Sequence, residues 1–422
     1  MQFTLDVIRA RKGDCLMVHY GTKAQPRLIM IDGGPSSVYK PLLRPRIEQL
    51  RAARGLGDND SLPVDVLMVS HVDDDHIKGV LDMTKELRTQ KSNGEARLIR
   101  VRTLWHNCFD DLLDTAPEEL KAEASFGAAA VNGEIDVDEV TDFEVAKVLA
   151  SIPQGRTLRD DAAFLGDVNS WKVNEQFNGK LIQASEGSSP IALDGGLTCT
   201  VIGPMQAELA DLQRDHDTWV AANKDKIDVS TTLAAFVDKS VTNLSSIVVL
   251  AEVSGKRMLL TGDARGDKIL AGLEMSGLLT ADHGSTMHVD VLKVPHHGSS
   301  NNMEALFFER VTADHYVFSG DGEHGNPERE TVEMLFEARG VAPFTACFTY
   351  PIDEIDVERK KDWEKEQAKE IARGKAPRPD WSTAINSLRS FFDAHPLAAG
   401  QTIVEIPATG GGYHLIELLD PI

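Results

Sequence analysis

The chain opens on three short apolar runs, "FTLDVI", "DCLMVHYG" and "RLIMIDGG". Their length and β-branched content predict strands, with the polar turn "TKAQP" joining the second to the third. Residues 41–54 repeat apolar positions at helical spacing and predict an amphipathic helix. "VDVLMVS" predicts a buried strand and "IKGVLDMTKEL" a helix, with Ile77, Val80, Leu81 and Met83 near helical spacing. "RLIRVRTLWHN" predicts the next strand, ending at His106. Later, "GLTCTVIGP" predicts a strand and "QAELADLQRDHDTWVAANKD" a helix with little apolar content. "SIVVLAEV" and "RMLLTGD" flank "SGK" as a hairpin. "VDVLKVPHHGSS" and "ADHYVFSGDGEHGNPERETVEML" each predict a strand that ends in a polar tip. Residues 351–374 predict a mixed-charge solvated helix, and "QTIVEIPATGGGYHLIEL" a closing hairpin.

Between 107 and 190 the texture turns acidic and Ala-rich, which predicts a helical insertion. Arg156 and Arg159 stand out there as cations in acidic surroundings. Residues 351–400 form a charged helical appendage on the same reading. No repeat divides the chain, so 1–422 is expected to be one elaborated domain.

At 42% hydrophobic and 26% charged residues the composition is that of a globular protein, and no apolar run reaches the ~20 residues a membrane span needs. Cys15, Cys108, Cys199 and Cys347 show no paired spacing, which fits free thiols in a reducing cytoplasm. The net charge of −22 disfavours non-specific binding to long nucleic acid, but it leaves room for a local basic cleft or a small phosphorylated substrate.

The chemistry gathers at strand ends. "IMID" ends at Asp32 before two glycines, "VLMVS" at His71, "MLLTG" at Asp263 and "VLKVP" at His296 and His297. Each alone reads as an ordinary turn; four in one chain point to a site at the carboxyl ends of strands. In "SHVDDDH" three adjacent aspartates lie between two histidines at a strand-to-helix junction. The carboxylates would lose their mutual repulsion to a cation, and neutral imidazoles would add nitrogen ligands.

The ordered set "IDGG", "SHVDDDH", "LLTGD" and "VPHHGS" resembles the metallo-β-lactamase superfamily, and within it the ComEC-like, DNA-internalisation type of metallohydrolase and its free-standing relatives. "KGDCLMV", "NLSSIVV" and "FSGDGEHGNP" add to the likeness, which covers roughly residues 1–105 and 195–340. It implies an αββα sandwich, an α/β fold with helical insertions. It also implies two divalent ions, zinc or manganese. His71 and Asp73 would hold the first; Asp75 and His76 would hold the second; Asp263 would bridge. One of His296 or His297 would complete the second site. Asp74 is then a spacer, solvated or bonded to the helix start. The strand "LTCTVIGP" lacks the further histidine many members carry, so the first site is ligand-poor, and His106, His296 or water would fill it. Asp32, His106 and Asn243 would orient the ligands from behind. Pro295 breaks the strand register and Gly298 allows a sharp turn, which favours His297 as the ligand and leaves His296 behind it.

The implied activity is hydrolysis by a metal-bound hydroxide, with Asp75, His296, His324 and Asn326 as the catalytic set and Arg156 binding substrate phosphate. The substrate class is a phosphodiester: nucleotide, nucleic acid or head group. Carbon-ester or lactam hydrolysis is the rival enzyme class, and a non-catalytic metal-binding partner protein the third. A protein partner or oligomer is compatible with the sequence; a membrane is not implied.

Overall fold

The computed structural model describes residues 1–108, 140–187, 189–206, 245–407 and 409–422. The first sheet contains β1 (Gln2–Ile8), β2 (Leu16–Thr22), β3 (Gln25–Ile31), β4 (Leu62–Met68), β5 (Ile99–Trp105) and β6 (Lys172–Val173), with β15 (Tyr413–Glu417) beside β1. The second contains β7 (Ile191–Ala192), β8 (Thr198–Gly203), β9 (Val248–Val253), β10 (Lys256–Leu260), β11 (Met287–Lys293), β12 (Val311–Phe318), β13 (Phe344–Phe348) and β14 (Gln401–Glu405), in the order β14-β13-β12-β11-β10-β9-β8-β7. Each sheet is mixed. β3, β4, β5 and β6 run parallel in the first, and β10 to β14 run parallel in the second.

Side-chain alternation along the strands builds the layers. In β9 and β10, Val249, Ala251, Met258 and Leu260 join Phe3, Leu5, Val18, Tyr20 and Val66 between the sheets. Their neighbours Val248, Leu250 and Leu259 face outward into an apolar layer shared with helices. Those helices are α4 (Gly266–Met275), α5 (Ala305–Arg310), α6 (Arg329–Arg339), α7 (Ile352–Ala372) and α8 (Leu388–Ala394). On the far side of the first sheet, α1 (Arg44–Ala53), α2 (Asp74–Ser92) and α3 (Val140–Leu165) cover Met17, Met30, Leu67 and Leu104. Strands buried on both faces must be apolar almost throughout, hence the near-continuous runs in the sequence. The four layers, helix, sheet, sheet, helix, are the αββα sandwich. Among the described residues, no helix is long and apolar enough to cross a membrane.

One expectation fails. "QTIVEIPATGGGYHLIEL" is no hairpin: β14 pairs in parallel with β13, whereas β15 pairs antiparallel with β1 in the other sheet. The link is too long for a tight two-residue turn, and Gly410, Gly411 and Gly412 all take positive φ to carry the chain across. The helix 206–225 falls almost wholly outside the described residues. β13 and α4 had not been expected.

Two glycines fix the geometry at the first sheet's tips. A Cβ on Gly79 would lie 1.9 Å from the Gly33 carbonyl oxygen, and one on Gly13 would lie 1.8 Å from the Asp75 carbonyl oxygen. Where α2 meets the tip of β3, the Gly33 amide donates to His76 O and the Gly79 amide to Gly34 O, both at 2.8 Å. This contact brings His76 onto Asp32. Gly79→Ala is expected to lower unfolding free energy by about 1–3 kcal/mol, the range for overpacking a close contact. Denaturant titration measures it, and an unchanged midpoint would contradict the close approach.

Candidate metal centre

Parallel strands from both sheets deliver the polar tips to one place. β3 ends before Asp32, β4 before Ser70 and His71, β10 before Gly262 and Asp263, β11 before His296 and His297, and β12 before Ser319. Backbone bonds tie the tips together: Ile247 N to Ser70 O at 2.9 Å, and His296 N to Gly262 O at 3.2 Å. Asp32, His296 and His297 hold left-handed backbone, with φ of 56, 46 and 54°. The turn expected at Gly298 is thus made by both histidines as well.

The centre is Oδ2 of Asp263. The Nε2 atoms of His297, His76, His71 and His296 lie 3.2, 3.3, 3.8 and 3.8 Å from it. His76 Nε2 and His297 Nε2 are 3.3 Å apart. In three of these rings the other nitrogen is engaged. His76 Nδ1 meets Asp32 Oδ2 at 2.8 Å, His71 Nδ1 meets Ser70 Oγ at 3.1 Å, and His297 Nδ1 meets Ser319 Oγ at 3.0 Å. Asp32 also accepts from the Ser70 amide and hydroxyl. Fixing Nδ1 in this way aims Nε2 inward, the usual arrangement of metal-binding imidazoles.

The electrostatics need balancing. Desolvation raises the Asp263 pKa, and His297, His76 and His296 outweigh it, holding the carboxyl well below its usual range. Desolvation lowers His76, yet Asp263 and Asp32 raise it well above normal. His297 behaves alike, pushed up to about 9 by Asp263 and Asp14 against desolvation. His296 is lowered, chiefly by desolvation. Without cations, then, protons on imidazoles balance the buried carboxylates.

Several donor groups fall within 4.8 Å of one another, among them His71, His76 and Asp263, and Asp75, His76 and His297. His71 Nε2 and Asp263 Oδ1 are buried without a hydrogen-bond partner. Orphaned donor atoms amid carboxylates and imidazoles suit a divalent cation such as zinc or manganese. His76 falls in both groups, with His71 and Asp263 and with Asp75 and His297.

The other expected residues are spread more widely. Asp73 Oδ2 is 3.6 Å from His71 Nε2. Desolvation raises the Asp73 pKa, but His71 lowers it further, so the net shift is downward. Asp75, half-buried, approaches His297 Nε2 at 4.0 Å. Asp74, its side chain 43% exposed, pairs with Lys78 one turn along α2 and accepts from Gln154 of α3 at 2.6 Å. His106 is fully buried with neither ring nitrogen hydrogen-bonded, and burial with nearby Arg159 lowers it to about 3. His106 is not part of these donor groups. Arg156 follows Gly155, whose Cβ would lie 3.4 Å from His106 Nε2 and Val72 Cγ1. His324 Nε2 sits 3.0 Å from Lys12 Nζ, and Asn326 is buried with its Oδ1 unbonded. Asn243 lies outside the described residues; its near neighbour Ser246 accepts from the Asp263 amide at 3.2 Å.

Asp14, Ser70, Ser319 and Lys293 were not foreseen. Asp14 lies in the matched "KGD", and Lys293 interrupts the apolar run "VDVLKVP"; a charge inside a buried strand was the available signal.

No family model matches the chain, and no curated relative matches it. Among solved structures it is similar to a protein from Parabacteroides distasonis described as a metal-dependent hydrolase (8% identity, 82% of this chain and 92% of that one, TM-score 0.31). It is also similar to zinc-bound PqqB from Methylobacterium extorquens (12%, 87% and 85%, TM-score 0.28) and to a protein of unknown function from Enterococcus faecalis (11%, 83% and 71%, TM-score 0.25). Scores this low transfer no activity to this chain.

The raised His297 pKa has a stability consequence. Its contribution is complete below the unfolded value of 6.5 and is lost as pH rises through about 9. Asp263 is depressed, so its contribution stays constant across that window. The chelator-treated protein is expected to melt at falling temperature from pH 6.5 to 9. Added zinc should flatten the slope, because a bound cation replaces the protons. A flat profile without metal would refute the charge balance.

Proposed function

We propose that the chain is a metal-dependent hydrolase acting on phosphodiesters, in the manner of a phosphodiesterase or nuclease of the ComEC-like kind. The convergence of His71, His76 and His297 Nε2 on one oxygen of Asp263 carries this reading. Divalent ions bound there, zinc or manganese, acidify water and stabilise negative charge on the attacked group.

The chain's own residues supply the rest. Asp32, Ser70 and Ser319 hold the imidazoles in their tautomers. Asp75, on the less buried side, serves as ligand and takes the proton of the attacking water. His296, 27% exposed, faces the approaching substrate. The Lys12 ammonium, donating to His324 Nε2 at 3.0 Å, is placed for the leaving group, with Asn326 nearby in sequence. Arg156 binds a substrate phosphate. A cytoplasmic setting belongs to the same reading, since Cys15, Cys108, Cys199 and Cys347 are buried free thiols.

Elemental analysis is expected to find about two divalent ions per chain after metal loading. His71→Ala, His76→Ala and Asp263→Ala should each lower that content. The loaded protein should hydrolyse bis-(p-nitrophenyl) phosphate and leave nitrocefin and a lactone panel untouched. Turnover of nitrocefin or a lactone alone would move the assignment to carbon-ester or lactam hydrolysis; metal binding without turnover would make it a binding protein.

The two adjacent histidines should behave differently. His297 is buried at 3.2 Å from Asp263 Oδ2 with its Nδ1 anchored, whereas His296 is more exposed and at 3.8 Å. His297→Ala should abolish hydrolysis and halve the metal content, and His296→Ala should keep the metal and part of the rate. Metal loss on replacing only His296 would reverse the assignment.

A further inference from the structure

Lys293 is the last residue of β11 and is fully buried. Its Nζ donates to Asp14 Oδ2 at 2.6 Å and to the Gly262 carbonyl at 3.0 Å. It also lies 3.7 Å from Asp263 Oδ1. The carboxylate of Asp263 is therefore divided. Oδ2 faces the histidines, while Oδ1, without a hydrogen-bond partner, faces the lysine.

The lysine is itself held. Thr261 Oγ1 donates to the Lys293 carbonyl at 2.8 Å, and the Gly262 carbonyl that receives Nζ also accepts the His296 amide. Asp14 Oδ1 meanwhile accepts from Ser319 Oγ at 2.5 Å and lies 3.4 Å from His297 Nδ1. One ammonium thus touches the carboxylate that supports His297 and the carboxylate that the imidazoles surround.

We propose that Lys293 is a positioning residue: its fixed charge holds Asp263 Oδ1, so that the carboxylate presents Oδ2 alone to the cations gathered by the histidines. A carboxylate with both oxygens available can rotate about Cβ–Cγ and chelate one cation. A cation already fixed at Oδ1 opposes that rotation, and Oδ2 stays toward the imidazoles. The inference rests on reading the cluster as a metal centre.

The rival role is neutralisation of buried Asp14, since a carboxylate buried without a partner is costly. The two roles separate on an Asp14→Asn background, where no charge at residue 14 needs pairing. Removing a positive charge beside a cation site tightens cation binding on Coulomb grounds alone. Loss of positioning weakens it, by about 10–100-fold on the scale of residues that orient metal ligands.

The experiment is a cobalt(II) titration of Asp14→Asn and of Asp14→Asn/Lys293→Met, followed by visible absorption, with affinity from competition against a chromophoric chelator. The double variant is expected to bind cobalt about 10–100-fold more weakly than the single, with altered ligand-field bands. Equal or tighter binding with unchanged bands overturns the proposal. A second measurement uses the wild-type chain with nitrogen-labelled lysine, so that the outcome does not hang on the variants folding. A protected ammonium resonance should move on zinc addition until the site fills; a resonance unmoved by zinc overturns the role. Wild-type protein that takes up neither cobalt nor zinc overturns the metal reading itself, and Lys293 with it.

Discussion

A carboxylate buried at Asp263 must be balanced by positive charge, and that requirement governs the centre of the molecule. His71 and His76 come from the first sheet and α2. Asp263, His296, His297 and Lys293 come from the second sheet. Asp14, on the link between β1 and β2, crosses to bond Ser319 after β12 and Lys293 of β11. Closing the two sheets on each other and assembling the charged cluster are therefore one event.

The same centre accepts backbone strain. Asp32, His296 and His297 occupy the left-handed region, which costs a non-glycine residue on the order of 1 kcal/mol or more. Such conformations persist where surroundings fix them. Asp32 is fixed by Ser70 and His76, and His296 by its amide bond to Gly262 O. The gain is direction: consecutive side chains on an extended strand point to opposite faces, whereas the two left-handed histidines bring both rings toward Asp263.

The sequence made much of this visible because strands buried on both faces have few ways to be written. The apolar runs marked β1 to β5 and β8 to β12, and their polar ends marked the cluster. Pairing was less legible. β14 and β15 look alike and adjacent, and only the edges they meet, β13 and β1, separate them into two sheets. Single residues such as Asp14 and Lys293 were hidden for a related reason. Their role comes from contacts across 305 positions for Asp14 with Ser319, and across the sandwich for Lys293 with Asp14, and local pattern carries no trace of such distances. The contact of Asp74 with Gln154 of α3, 80 positions away, was hidden in the same way.

Net charge narrows the proposed substrate. A chain at −22 repels a polyanion over the length of its surface, and the repulsion grows with every phosphate that approaches. A single phosphodiester meets mainly the local field. At the rim that field is mixed: Lys12 pairs with Glu323 at 3.0 Å, and Arg11 lies 3.5 Å from Asp321. These two cations are each matched by a carboxylate, so they give little net attraction to a long strand. The rim can still exchange one carboxylate for one phosphate oxygen at small cost. On the proposed function, attraction that holds an anion would come from the centre itself, with divalent ions offsetting Asp73, Asp75 and Asp263. On this balance a small phosphodiester fits the chain better than a nucleic-acid polymer.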